Sequence, residues 1–67
     1  MSSILTNREK QIFLLIKENY KTDDIAKVLK ISEKTVRNHI SNVMIKLSAN
    51  SRTYAMLELV KMKEIEL

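Results

Sequence analysis

Asp24 to Leu47 reads DIAKVLKISEKTVRNHISNVMIKL, and the placement of its apolar residues predicts two helices meeting across a very short turn. Ile25, Ala26, Leu29 and Ile31 supply one inner face; Val36, Ile40, Val43 and Leu47 supply the other. Between them stands Ser32, an N-cap residue whose hydroxyl can accept a hydrogen bond from a free backbone N–H at the start of the next helix. That is the pattern of a helix-turn-helix.

At about 100° per residue, the second helix of this pair turns Val36, Ile40, Val43 and Leu47 inward, with Met44 at the border. Lys34, Arg37, Asn38, Ser41 and Ile45 then project from the opposite side, with Thr35 and Asn42 beside them. A DNA major groove is wide enough to admit a helix, and this is the side it would meet. Arg37 is the leading candidate for base recognition, because a guanidinium can pair bidentately with guanine O6 and N7; Asn38 could pair with adenine N6 and N7. Lys34, Thr35 and Lys46 sit at the helix start or on its flank, where phosphate contacts fix register without reading sequence. Any one of these residues alone would be an ordinary solvated helix residue, and the helix-turn-helix context is what reverses that reading. His39 lies between the buried stripe and the exposed side, so a packed histidine and a phosphate contact are equally open readings.

Composition narrows the alternatives. Sixty-seven residues make one domain, spanning residues 1–67, and a chain this short buries only about 60% of the surface it exposes when unfolded. That leaves no room for a deep catalytic cleft. Cysteine is absent, which removes disulfides and thiolate metal sites, and His39 is the only histidine, with no carboxylate cluster beside it. No metal, cofactor or enzymatic activity is expected. The longest apolar run, Ile12 to Ile16, falls far short of the roughly 20 residues needed to cross a bilayer, and no signal peptide precedes it. The expectation is a soluble, cytoplasmic protein.

The net charge of +4 is unevenly distributed. Residues 1–26, 27–52 and 53–67 carry 0, +5 and −1, so all the excess positive charge falls on the segment that holds the outward-facing helix. A polyanion would feel it most there.

Glycine and proline are absent, so the breaks between helices must be read from caps. Thr6-Asn7-Arg8-Glu9 fits a capping box and opens a first helix over about 7–17, with Ile12, Phe13, Leu15 and Ile16 as its core stripe and Asn19 as a left-handed residue after its end. Thr22 is expected to cap a second helix over about 23–29, with Asp23 and Asp24 in its first turn. Ser32 caps a third over about 33–47, and Ser51 a fourth over about 52–62 whose face is Ala55, Met56, Leu59 and Val60. The alternating stretch Lys61 to Leu67 is taken as a frayed end. An all-α fold of four helices follows.

Beyond these patterns, LTNREKQIFLLI, DDIAKVLKISEKTVRNHISNVMIKL and SRTYAMLEL, in this order over residues 4–67, resemble the DNA-binding domain of the LuxR/GerE family of bacterial transcription regulators. The most specific segments are Leu5-Thr6 with Arg8-Glu9, Ile25-Ala26, the run Ile31 to Ile40, Lys46-Leu47 and Ser51-Arg52. ISEKTVRNHISN and the ending EIEL are similar to family members in which the domain stands alone, as the opening methionine also suggests. The resemblance implies a third helix in the major groove and a fourth that forms a two-fold dimer contact. By it, Arg37, Asn38 and Ser41 fall where family members contact bases, while Lys34, Thr35, Lys46 and Arg52 fall at or near positions that steady the DNA backbone. His39 joins the phosphate contacts in its exposed reading. Arg52 has a competing reading as a side chain tying the fourth helix to the third.

The chain departs from the family where glycine is common, with Asn19 or Tyr20, Ser48 and Lys63 in its place. Asparagine tolerates left-handed backbone, whereas it costs Ser48 and Lys63 ~1 kcal/mol, so the affected helix ends are expected to be remodelled or frayed. The expected function is a sequence-specific transcription regulator, working as a homodimer through Leu57, Leu59 and Val60 on double-stranded DNA, with RNA polymerase as a further partner. The rival is a small helical protein-interaction module that keeps the fold without binding DNA; Ile45, apolar on the groove side, motivates it, though the same side chain could equally touch a thymine methyl.

Overall fold

Side-chain caps decide where the helices begin. A computed structural model of the chain describes residues 4–67, and in it four helices follow one another: α1 (Asn7–Lys17), α2 (Thr22–Leu29), α3 (Glu33–Lys46) and α4 (Arg52–Lys61). At the start of α1 the capping box is complete: Thr6 Oγ1 accepts from the Glu9 amide at 3.1 Å, and the Thr6 amide donates to Glu9 Oε1 at 2.9 Å. Ser32 Oγ accepts from the Thr35 amide at 3.0 Å and Ser51 Oγ from the Tyr54 amide at 3.1 Å, so α3 and α4 open where their serines predict.

α2 corrects the expectation for Thr22. The helix starts one residue earlier, and Thr22 is its first helical residue rather than its cap. Lys21 holds the extended cap position, and its amide donates to Asp24 Oδ2 at 3.2 Å. The carboxylate three residues on has taken the role assigned to the threonine hydroxyl. α3 and α4 in turn end one residue sooner than their apolar patterns suggest, with Leu47 and Met62 as C-caps.

All four helices close in the same way, and none uses glycine. Asn19, Lys30, Ser48 and Lys63 adopt left-handed backbone, with φ of 73°, 58°, 52° and 62°. After each, an amide reaches back five residues: Tyr20 to the Leu15 carbonyl at 3.0 Å, Ile31 to Ala26 at 3.0 Å, Ala49 to Met44 at 2.8 Å and Glu64 to Leu59 at 2.9 Å. The expected remodelling or fraying does not occur, because these bonds satisfy end carbonyls that would otherwise lose their partners. The geometry still carries a steric cost at each residue with a Cβ. Lys63→Gly is therefore expected to stabilise the domain by about 1 kcal/mol, raising Tm by roughly 4–8 °C. Thermal unfolding followed by circular dichroism measures this, and a lowered Tm would show that Lys63 is not strained.

The core draws on every helix and on both ends of the described chain. Ile12 and Phe13 of α1, Ile25 and Ala26 of α2, Val36, Ile40 and Val43 of α3, and Ala55 and Leu59 of α4 are buried together with Leu5 and Ile65. Burial of Ile65 corrects the frayed-end reading of residues 61–67: left-handed Lys63 turns the chain back so that Ile65 enters the core, and Lys17 Nζ donates to the Glu66 carbonyl at 2.8 Å. α3 packs against all three other helices, which fixes one side of it and leaves the other free to face a partner.

Candidate nucleic-acid interface

On the free side of α3, Lys34, Arg37, Asn38, Ser41, Asn42 and Ile45 are exposed, opposite buried Val36, Ile40 and Val43. The three candidate base-reading residues, Arg37, Asn38 and Ser41, thus share one surface with Lys34. Arg37 Nη1 lies 3.1 Å from Glu33 Oε2, with the two side chains 55% and 48% exposed. Such an i,i+4 surface pair is worth ~0.3–0.5 kcal/mol. Glu33 thus parks the guanidinium lightly and can give it up to a stronger acceptor.

The flanks behave differently from one another. Thr35 is half-buried, and its hydroxyl lies 2.9 Å from Ser32 Oγ, within the cap of α3. His39 is half-buried too, at the border of the exposed face. Arg52 Nη2 donates to Thr22 Oγ1 at 3.0 Å, so this side chain ties α4 to α2 rather than to α3.

Lys46, expected from its position to contact phosphate, has partners inside the fold. Its ammonium donates to Glu9 Oε1 at 2.6 Å and to the Ile4 carbonyl at 3.1 Å. The Glu9 side chain is only 4% exposed and that of Lys46 34%, so the cation is spent on a nearly enclosed carboxylate. Burial acts to raise the pKa of Glu9, but the Lys46 hydrogen bond and charge, with the hydrogen bonds from Thr6, outweigh it and hold the carboxyl below its ordinary value. The pair joins the end of α3 to the start of α1. Nothing local in the sequence announces it, since 37 residues separate the partners.

α4 requires a correction. Leu59 is fully buried in the core and cannot offer its side chain to another protomer. Leu57 is 55% exposed and Val60 half-buried, and exposed Tyr54 stands three residues before Leu57 on the same side. Tyr54 was not anticipated, although the i, i+3 spacing of Tyr54 and Leu57 was there to be read.

This arrangement has close relatives. The family model described as bacterial regulatory proteins, luxR family, matches residues 3–59. Spore germination protein GerE of Bacillus subtilis (strain 168) is 52% identical over 64 residues, covering 96% of this chain and 86% of that protein. Transcriptional regulatory protein DegU of Brevibacillus brevis is 45% identical over 58 residues, covering 87% of this chain but only 25% of its own length. Among solved structures, one described as that of the transcription factor GerE superposes with a TM-score of 0.91 at 54% identity, covering 94% of both chains. With the all-α helix-turn-helix in place and the match spanning the site, the chain belongs to the luxR family of bacterial regulatory proteins.

Proposed function

We propose that this chain is a sequence-specific DNA-binding transcription regulator that inserts α3 into the major groove. The observation that carries the reading is the exposed face of α3, where Lys34, Arg37, Asn38 and Ser41 share one side of a helix whose other side is locked in the core. Arg37 and Asn38 read bases, with Ser41 one turn further on, while Lys34, Thr35, His39 and Arg52 steady the phosphates. Two copies pair through α4, using Leu57 and Val60 with Tyr54 beside them. Half-sites then lie about 10 bp apart or at a larger fixed spacing. RNA polymerase is the further partner such a regulator would engage.

Salt titration tests this reading. Each phosphate neutralised adds ~0.9 to the slope of log affinity against log salt, so a dimer using Lys34 and Arg52 of both copies should show a slope of at least about −3.5 on a duplex selected from random DNA. The rival reading, a protein-interaction module, draws on Ile45, which is apolar and 75% exposed. Absence of binding to any duplex at low salt, with a protein partner recovered instead, would decide for that rival.

A further inference from the structure

Lys34, Asn38, Ser41 and Ile45 stand at i, i+4, i+7 and i+11 on α3, the spacing of a single helix stripe. Ile45 is 75% exposed, and nothing among the described residues covers it. A single exposed apolar side chain ordinarily calls for no explanation. This one continues the line of the polar residues proposed to face the groove, and Met44 and Ala49 line a shallow depression beside it. The edges of base pairs in the major groove offer hydrogen-bond donors and acceptors and one apolar group, the C5-methyl of thymine.

We propose that Ile45 is a specificity-determining residue that packs against a thymine methyl at the outer part of the half-site. The inference rests on the reading that α3 occupies the major groove. Ile45 follows Arg37 by eight residues, about 12 Å along the helix. A helix lying in the groove passes about one base pair per three residues, so the thymine lies about two to three base pairs from the guanine paired with Arg37. A polar side chain at this place would read a donor or an acceptor; isoleucine reads the presence of a methyl.

Deoxyuracil differs from thymine only by lacking that methyl, which makes the contact separable from everything else in the complex. Wild-type protein and Ile45→Ala are titrated against the selected duplex with each thymine of one half-site replaced in turn by deoxyuracil. At a single position the wild type should lose about fourfold in affinity, the factor for burying one methyl-sized group. Ile45→Ala should bind the thymine duplex about fourfold more weakly than wild type and be indifferent to the replacement. Its Tm should not fall, because the exposed side chain supports little packing and alanine favours the helix. A wild type indifferent to every replacement, or a methyl effect that survives undiminished in Ile45→Ala, would overturn the assignment while leaving DNA binding intact. Failure of both proteins to bind any duplex would overturn the DNA-binding reading with it.

Discussion

Lys46→Ala is expected to remove about 2–3 kcal/mol of stability. The substitution leaves the Glu9 carboxylate, nearly enclosed and accepting the Lys46 ammonium at 2.6 Å, with the Thr6 amide but no cation. Breaking a fully buried pair costs ~3–5 kcal/mol. The loss here is smaller because a third of the Lys46 side chain stays in water, where solvent screens its charge. For a 67-residue domain whose whole stability is about 3–10 kcal/mol, this is a large share, and Tm should fall by roughly 10–20 °C. Acid adds a second signature. The folded chain holds the Glu9 carboxyl below its ordinary pKa, so the pair's contribution is complete above the unfolded value of ~4.3 and is lost as pH falls through the lowered native one. Tm measured from pH 6 down to pH 3 should drop more for the wild type than for Lys46→Ala. Equal stability at pH 6, or parallel acid profiles, would mean that the pair holds nothing together.

That pair also marks the limit of what the sequence could tell. The helix starts were legible where a hydroxyl stood at the right place before an apolar stripe, as at Thr6, Ser32 and Ser51, because capping is a contact between residues three apart. Thr22 misled because Thr22, Asp23 and Asp24 offer three neighbouring acceptors, and local pattern alone does not say which one meets the backbone. Lys46 and Ile65 have partners that escape local pattern for a different reason. One is claimed by Glu9 at the far end of the chain, and the other enters the core only after left-handed Lys63 has turned the backbone. Leu59, by contrast, could have been placed correctly. It stands four residues after Ala55 on the inner stripe and about 200° around the helix from Leu57, so the two leucines could never have shared a partner surface. Apart from half-buried Thr35, the polar face of α3 was legible, since burial of Val36, Ile40 and Val43 leaves its members nowhere else to point.

Arg37→Ala is expected to reduce the preference for the selected duplex over a scrambled one by about 5- to 150-fold, the range of ~1–3 kcal/mol for one bidentate base contact. The fold should not suffer, because the side chain is 55% exposed and its bond to Glu33 is a weak surface pair. When α3 enters the groove, the guanidinium exchanges one carboxylate for guanine O6 and N7, gaining a paired acceptor whose spacing matches its fork. Glu33 remains in the first turn of α3, where the positive end of the helix dipole favours its charge. Arg37→Lys separates geometry from charge: lysine keeps the cation but lacks the planar fork, so discrimination should fall while the salt slope stays near that of the wild type. Competition between selected and scrambled duplexes at two salt concentrations measures both quantities. If Arg37→Ala instead weakens the two duplexes equally, Arg37 contacts phosphate, and base reading passes to Asn38 one position along the same face.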